Sequence, residues 1–359
     1  STLSDERAKS LDYYLGDVSA DMPALVGRSK VVSSDTADTI DGLMPSLMDI
    51  FAGTDMPVRF APVGPEDIEA AEQETEYVNH IFWQRNEGFL VLYSFIKDAL
   101  LSKLGVVKVF WEEPEEEERE TYDALPDDAF ALLTSDPAVE VVEHTETLGE
   151  TGEPLHDVVI VKSTKRGTAK AVPVPPEEFG VSRRARSIQD AHYCFHEVVR
   201  RADELIDQGY DEAQVRALPG YVSTDNLEST TRDTVDESSG TGDDGYNKDT
   251  RAIRVTEHYI IMAPGKGKPG LHRIVTGGED GDILRRGGKE DIEPWPFMPF
   301  AGMTPIIIPH RLFGRSIADL VMDIQRIKTA LLRAMLDNLY LHNNPRVEVA
   351  EANAGPNTN

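Results

Sequence analysis

The feature that most constrains the fold is a long helical repeat near the end of the sequence. Ser316 and Asp319 form an S-x-x-D start that resembles a capping box, and Asn343-Asn344-Pro345 is a stop signal. Between them, apolar residues recur every three or four positions, as in an amphipathic helix: Ile317, Leu320, Val321, Ile324, Ile327, Leu331, Met335 and Leu339. A continuous helix over 317–342 would be about 39 Å long at 1.5 Å per residue, which is long for a core helix in a mid-sized domain.

Charged residues on this predicted helix are spaced for ion pairs. Asp323 with Arg326, and Arg333 with Asp337, lie three and four positions apart, so each pair shares a helix face. We therefore expect both pairs to form within the helix.

The charge of the whole chain limits its partners. The 359 residues include 36 lysines and arginines against 64 aspartates and glutamates, a formal net charge of −28. Such a chain is repelled by a phosphate backbone, which disfavours a general nucleic-acid binder. The acidity is regional, because residues 111–160 contain 17 acids and one base, Arg119, for a net charge of −16. Any contact with nucleic acid would use the less acidic parts.

Other compositional features narrow the class of protein. The single cysteine, Cys194, excludes an intrachain disulfide framework and a cysteine-based zinc module. No run approaches the 18 or so apolar residues of a membrane span, and the first residues, STLSDERAKSLDYY, lack the apolar stretch of a signal peptide. The sequence therefore predicts a soluble, unsecreted chain with room for two or three domains.

The first part of the chain favours helices followed by a strand. The apolar spacing over 40–51 is helical but contains Pro45, which predicts a broken helix. Gly64-Pro65-Glu66-Asp67 is typical of a helix start, and a second helix is expected over 87–104, ended by Gly105. Residues 106–111 have the composition of a strand.

The acidic run 112–120 is interpreted as a solvated loop, because clustered like charges repel. A calcium site there is the sharper alternative, but the run lacks EF-hand spacing.

The remainder alternates strands with polar segments. Strands are expected over 156–162 and 170–174, joined by a basic turn at Arg166-Gly167, and a helix over 187–208. Residues 223–250 contain almost no apolar side chain and are predicted to be a linker at a domain boundary. Beyond it, strands over 253–262 and 271–276, with glycine turns at 277–278 and 287–288, predict a small β-rich unit. The fold class is therefore α+β.

Sequence signatures of enzymes are incomplete in this chain. Residues 264–270, PGKGKPG, lack the order of a phosphate-binding loop and are predicted to be a hairpin turn. His196-Glu197 begins an H-E-x-x-H pattern, but Arg200 replaces the second ligand. His192 and His196 would share a face of the predicted helix, whereas Cys194 would point elsewhere. A metal-dependent hydrolase that uses His192, His196 and Glu197 is kept as the rival hypothesis.

A basic cluster, Ser182-Arg183-Arg184-Ala185-Arg186, is a further candidate site. It could bind phosphate, but with so acidic a region upstream we favour a charge contact within the chain or between subunits.

Several stretches resemble one known family. The longest covers 309–333, PHRLFGRSIADLVMDIQRIKTALLR, and continues through Asp337-Asn338-Leu339-Tyr340 to Asn343-Asn344-Pro345-Arg346. Further stretches are Pro175-Pro176-Glu177-Glu178-Phe179, 182–186, 209–211, 38–40, 44–48 and 105–111. In them the chain resembles the P22-like portal proteins of tailed bacteriophages, which are head-to-tail connector subunits. The resemblance spans most of the chain, apart from the acidic run and the polar linker.

The resemblance implies a ring, normally dodecameric, at one vertex of the capsid. The terminase motor would drive double-stranded DNA through it without tight or sequence-specific binding, and a head-to-tail adaptor would dock below. Major capsid and scaffolding proteins are further implied partners. The implied subunit is structural rather than enzymatic, needs no cofactor and no membrane, and belongs to the virion after assembly in the host bacterial cytoplasm. A scaffold or adaptor protein that forms no channel is a third hypothesis.

The resemblance also implies a division of the chain. Residues 1–222 would form an α/β wing, 223–250 a linker, 251–310 a clip-like unit, 311–345 a stem or channel helix, and 346–359 a polar end. Family members are longer, so we expect part of the subunit to be missing after Asn359.

Two sets of candidate site residues follow from this placement. The DNA-channel candidates are Arg315, Arg326, Lys328 and Arg333. The subunit-contact candidates are Arg183, Arg184, Arg186, Asp319, Asp323 and Asp337. Ion pairs of the four bases with Asp319, Asp323 and Asp337 are the alternative use of the same residues.

Overall fold

A computed structural model describes residues 2–54, 56–113, 115–136, 138–148, 154–165, 167–221, 251–263 and 268–344. Helices and antiparallel strands both contribute, so the α+β prediction is confirmed. In these ranges, no helix combines the length and the apolar character that a membrane span needs. The predicted linker 223–250 and most of the predicted turn 264–270 lie outside the described residues.

Within the described ranges, four α-helices precede the first strand: α1 (Thr2–Leu15), α2 (Asp35–Ala52), α3 (Ile68–His80) and α4 (Gly88–Ser102). The predicted start at Gly64-Pro65 is confirmed, because a 3₁₀ turn over Pro65–Asp67 leads into α3. The predicted long helix is also confirmed, as α8 (Ala318–Asn343). Helices α1, α2 and α4 contact one another and α8, and their shared core includes Ile40, Met44, Ile96, Leu100 and Ala318.

The predicted break at Pro45 is wrong, because α2 continues through the proline. Pro45 itself is exposed, whereas Ile40, Met44 and Met48 are buried on one side of the helix. Burial of this apolar side outweighs the loss of one backbone hydrogen bond at the proline.

Two antiparallel sheets contribute residues to a common buried core, among them Val106, Val174, Cys194 and Tyr259. The first has the strand order β14 (Phe300–Met303), β1 (Gly105–Glu112) and β5 (Thr168–Val174). The second has the order β10 (Asp282–Ile283), β9 (Gly270–Gly277), β8 (Ala252–Met262), β7 (Tyr193–Arg201) and β6 (Phe179–Val181), and β13 (Ile292–Pro294) also pairs with β9. A short hairpin joins β11 (Arg285–Arg286) to β12 (Lys289–Glu290). Its turn residues Gly287 and Gly288 have φ of +58° and +78°, as the predicted glycine turn requires.

The predicted helix over 187–208 is wrong. Residues 193–201 form strand β7, and only Ala202–Asp207 is helical, as α6, followed by α7 (Glu212–Ala217). The periodicity of a short apolar run fits a helix and a strand equally well. Here β6 and β8 pair with the two sides of this segment, and these backbone hydrogen bonds favour the strand.

Strand pairing links the β-rich unit predicted over 251–310 to earlier parts of the chain, and the division into domains stays a prediction. β8 pairs with β7 from Tyr193↔Ile260 to Arg201↔Ala252, and β14 pairs with β1. The segments before and after the predicted linker therefore share both sheets, because each supplies strands that the other needs as hydrogen-bonding partners.

The third sheet belongs to an acidic lobe, which we define as residues 115–165. It comprises β2 (Glu115–Pro126), α5 (Asp127–Thr134), β3 (Val139–Leu148) and β4 (Pro154–Lys165), with the strand order β2-β4-β3. The prediction of a loop over 112–120 is wrong, because most of this run lies in β2. Lys162 of β4 stands opposite Glu118, and the exposed position of Glu118 keeps its charge solvated.

The strands predicted around Arg166-Gly167 are confirmed as β4 and β5, but they belong to different sheets. Arg166 lies outside the described residues.

Candidate subunit interface on helix α8

Helix α8 begins with the capping box that the sequence predicts. The Ser316 N–H donates to the Asp319 carboxylate at 2.9 Å, and the Asp319 N–H donates to the Ser316 hydroxyl at 3.0 Å. The Ile317 N–H donates to the Leu100 carbonyl at 3.0 Å, and Lys103 lies 3.4 Å from Asp319. These bonds fix the start of α8 to the end of α4.

The face of α8 that packs on the body of the protein is polar. Gln325 and Thr329 are fully buried. The Gln325 Oε1 accepts from the Thr36 N–H at 2.9 Å, and its Nε2 donates to the Tyr13 carbonyl at 2.9 Å. The Thr329 hydroxyl accepts from the Ser33 N–H at 3.1 Å. This face therefore contacts the protein through hydrogen bonds to backbone groups.

The same polar face continues for two more turns. Arg333 donates to the Val31 carbonyl at 2.9 Å and to the Met22 carbonyl at 2.7 Å. Asp337 accepts from the Ser29 N–H at 2.7 Å and lies 3.6 Å from Arg28. Positions 325, 329, 333 and 337 are four residues apart, so they form one stripe along the helix. The predicted pair of Arg333 with Asp337 is therefore replaced by contacts of each side chain with residues 22–31.

The apolar residues of α8 are exposed. At 3.6 residues per turn, one set lies opposite Gln325 and Thr329 and forms what we call the outer stripe: Leu320, Ile324, Ile327, Leu331 and Met335. Their exposed fractions are 44, 54, 58, 65 and 63 %. Near the end of the helix further large apolar side chains are exposed on other sides, namely Leu332, Leu336, Leu339, Tyr340 and Leu341. A continuous apolar surface of this kind marks a contact site for another molecule.

The four DNA-channel candidates all have acceptors within the chain. Arg326 lies 3.2 Å from Asp323, which confirms that predicted ion pair, and both side chains are exposed. Lys328 forms an ion pair with Asp35 and, with Ser33, lowers the pKa of that carboxyl. Arg333 is bound to backbone carbonyls as described, and Arg315 approaches the Asp319 carbonyl at 3.4 Å. Their placement in a DNA channel stays a prediction.

The acidic subunit-contact candidates are likewise engaged within the chain. Asp319 caps α8 and lies close to Lys103, Asp323 pairs with Arg326, and Asp337 binds Ser29 and Arg28. A role for them between subunits stays a prediction.

The basic cluster lies in the loop between β6 and β7. Arg183, Arg184 and Arg186 are exposed and line a shallow pocket of about 430 Å³ together with Asp190 and His192. Asp190, which lines the same pocket, is likewise exposed. The cluster is therefore available to a partner, as the prediction of a subunit contact requires.

The proposed metal ligands are not brought together. His192 is exposed just before β7 and His196 is buried within it, and four residues of extended chain separate their backbones by roughly 13 Å. His196 instead contacts Glu178, at 3.3 Å between Nε2 and Oε2. Burial raises the pKa of the Cys194 thiol to about 12, which opposes the thiolate form that metals bind. In the described ranges no three metal-binding side chains cluster, and nothing supports the hydrolase hypothesis.

A cluster of charges that the sequence did not indicate lies in the cleft between the first and second sheets. The Lys108 Nζ of β1 lies 2.6 Å from the Glu257 Oε2 of β8, and both side chains are largely buried. The Tyr259 hydroxyl donates to the same carboxylate at 2.8 Å. Beside them, Arg273 lies 3.2 Å from the buried Asp291. The cleft has a volume of about 640 Å³.

The charges in this cleft determine one another's pKa values. Burial alone would raise the pKa of Glu257, but the charges of Lys108 and Arg273 more than offset it and hold the pKa at about 2. Burial lowers the pKa of Lys108 in spite of the carboxylate beside it. A lysine within the apolar run Val106-Val107-Lys108-Val109 was the sequence signal for a buried partner, but the partner is 149 residues away.

A family match accompanies this geometry. Residues 1–358 match the family model described as the phage SU10 portal protein. No individual protein with a curated description matches the chain. The match covers the segments that carry the resemblance to P22-like portal proteins, although the matching model is that of phage SU10. A portal subunit is a structural protein of a homo-oligomeric ring that serves DNA packaging into the capsid. The sequence thus belongs, over nearly its whole length, to the phage portal proteins.

Proposed function

We propose that this portal subunit contacts its neighbours in the ring through the outer stripe of α8. The observation that carries the proposal is the orientation of the helix, with Gln325 buried and Leu331 65 % exposed on the opposite side. In a self-sufficient domain the leucines would face inward, since full burial of such a side chain contributes about 1.5–3 kcal/mol. The outer stripe therefore favours a state in which another subunit covers it.

A ring requires a head-to-tail contact, in which one surface of a subunit meets a different surface of the next. The outer stripe supplies one side of that contact. A second apolar surface on α2, where Ile50 and Phe51 are 68 and 42 % exposed, is a candidate for the opposite side. Twelve subunits is the number that the resemblance to P22-like portals implies.

The parts of the subunit follow the same proposal. The helices and strands within residues 1–222 belong to the wing, α8 to the stem or channel, and the strands within 251–310 to a clip-like region that shares its sheets with the wing. Residues 223–250 keep the role of a linker and 346–359 that of a polar end, as the resemblance implies.

Double-stranded DNA passes through the channel of such a ring without binding tightly to it. Arg326 and Lys328 keep about half of their side-chain surface exposed while each pairs with a carboxylate, so they offer weak contacts to phosphates. A net charge of −28 acts in the same direction, since tight binding depends on the release of many counterions. The subunit performs no catalysis and docks terminase, capsid, scaffolding and adaptor proteins, in a virion that is assembled in the bacterial cytoplasm.

The test is assembly of the full-length protein with Ile324→Asp and Leu331→Asp. We expect the unmodified protein to form rings with a central hole in negative-stain images, and the double variant to elute as a folded monomer in light-scattering chromatography. The matched control is Val63→Asp, because Val63 is 97 % exposed in the segment that leads into α3 and is not part of the outer stripe, and this variant should keep the rings. Rings of normal size from the double variant would refute the assignment of the outer stripe, while leaving the family membership intact.

A further inference from the structure

The acidic lobe contains an apolar groove that the ring does not explain. Strands β2, β3 and β4 pair only with one another in the described part of the chain, so the lobe has its own sheet. Its 51 residues include 15 acids and three bases, a net charge of −12. A surface so highly charged is normally solvated throughout, and an apolar groove within it needs an explanation.

Helix α5 is fixed over the sheet by one of its faces. The Asp127 carboxylate bonds to His156 Nε2 at 2.6 Å, and His156 Nδ1 bonds to His144 Nε2 at 2.9 Å. The Phe130 ring stacks on both imidazoles, with centroids 4.7 Å from His144 and 4.5 Å from His156. His156 is buried, so this contact anchors the first turn of α5 to β3 and β4.

A neighbouring side of α5 forms the groove. Leu132 lies roughly opposite Phe130 on the helix, and Ala129 and Leu133 lie between the two. Together with residues of the sheet they enclose about 360 Å³, and the remaining lining residues are Glu120, Tyr122, Leu125, Asp136, Val139, Ile160 and Lys162. Leu132 is 76 % exposed, so its side chain is available to an incoming apolar group.

The charges around the groove select its occupant. Two carboxylates, Glu120 and Asp136, line it against one base, Lys162, and the lobe around them is strongly negative. Nucleic acid, an anionic lipid surface and a second acidic lobe are all repelled by this field. A segment with basic residues on one side and leucine-like residues on the other satisfies both the apolar groove and its charged rim.

We propose that the groove of the acidic lobe binds a basic amphipathic segment of a partner protein. The apolar side chains of that segment enter between α5 and the sheet, next to Leu132 and Leu133. Its lysines or arginines face Glu120 and Asp136. The contact is separate from the outer stripe of α8, so it goes beyond ring formation and does not depend on it.

The probes are labelled 18-residue peptides, titrated into the full-length protein and followed by fluorescence anisotropy. One peptide carries lysines and leucines at amphipathic helical spacing, a second replaces every leucine by serine, and a third replaces every lysine by glutamate. We expect the lysine–leucine peptide to bind at least tenfold more tightly than the lysine–serine peptide, because burial of apolar side chains adds to the charge attraction. The glutamate–leucine peptide should not bind.

Protein variants locate the site. Leu132→Ser should weaken binding of the lysine–leucine peptide about tenfold, and Glu120→Gln with Asp136→Asn should weaken it further at low salt. The matched controls are Val142→Ser and Glu146→Gln, exposed positions of the same lobe that do not line the groove, and they should bind as the unmodified protein does.

Three results would overturn the proposal. Equal binding of the lysine–leucine and lysine–serine peptides would leave only a charge effect, and equal loss in Leu132→Ser and Val142→Ser would place the contact elsewhere. Binding by the monomeric Ile324→Asp/Leu331→Asp variant but not by rings would assign the groove to a neighbouring copy of the chain.

Discussion

Replacing Gln325 with leucine tests whether α8 is held by its polar face. The side chain joins two helix ends, since it accepts from the Thr36 N–H in the first turn of α2 and donates to the Tyr13 carbonyl near the end of α1. The first N–H groups of a helix have no partner within the helix, so Thr36 depends on Gln325. Leucine has a similar volume but can form neither bond.

The expected cost follows from these two contacts. Leaving the buried Thr36 N–H without an acceptor costs about 1–3 kcal/mol. The Tyr13 carbonyl loses less, because it still accepts from the Gly16 N–H at 3.3 Å. Leucine gains some burial energy in return, so we expect the free energy of unfolding to fall by about 2 kcal/mol.

The assay is urea denaturation in the monomeric Ile324→Asp/Leu331→Asp background, where assembly does not add to the apparent stability. The matched control is Asn338→Leu, the same kind of amide-to-leucine change at an exposed position of α8, which should stay within about 0.5 kcal/mol of its parent. A Gln325→Leu variant as stable as the control would refute the buried polar face, and with it the outward orientation of the apolar residues.

Three further predictions concern stability. Pro45→Ala should raise the free energy of unfolding by about 1–3 kcal/mol in urea denaturation, because Pro45 is exposed and alanine restores a hydrogen bond within α2. An unchanged free energy of unfolding would show that the proline does not destabilise α2. Lys108→Met should destabilise the protein by about 3–5 kcal/mol, because Glu257 is left as an unpaired buried charge. The double variant Lys108→Met/Glu257→Leu should recover most of this loss. A double variant as unstable as the single one would contradict the assignment of the loss to the unpaired Glu257. The pKa of Glu257 is about 2 in the folded chain against 4.5 as its ordinary value, so its contribution to stability is present above pH 4.5 and is lost as the pH falls towards 2. Over that pH range the free energy of unfolding should fall more steeply in the unmodified protein than in Glu257→Gln. Equal slopes would refute the depressed pKa.

Local patterns predicted the long helix closely. The sequence placed it over 317–342, and α8 occupies Ala318–Asn343 with the Ser316–Asp319 capping box in place. These signals work because capping and chain termination depend on residues within one or two turns. The strands β1, β8 and β9 were predicted for the same reason, from runs of β-branched and aromatic residues.

Predictions failed where distant partners decide. β7 has apolar spacing that suits a helix, but β6 and β8 offer backbone hydrogen bonds on both of its sides. The acidic run became β2 because β4 supplies a complete set of partners opposite it. Pro45 did not break α2 because the buried side of the helix is held by α4 and α8. In each case pairing or packing outweighs a local preference of about 1–3 kcal/mol.

The candidate site was predicted in its residues but not in its orientation. The periodicity of Leu320, Ile324, Ile327 and Leu331 indicates an apolar stripe, and it contains no information about what covers that stripe. From the sequence, Gln325 and Thr329 are polar residues of the kind found on a helix surface. Only the tertiary structure shows the backbone groups of residues 13, 33 and 36 that they bind.

The sequence by itself determined the long helix, the α+β class, the regional acidity and the membership of the portal family, because these depend on composition and on residues near one another in the chain. Only the tertiary structure decided that the polar face of α8 is buried, that Lys108 meets Glu257 across 149 residues, and that the acidic lobe contains an apolar groove. The physical reason is that burial and pairing energies depend on which surfaces meet, and those surfaces come from segments far apart in sequence.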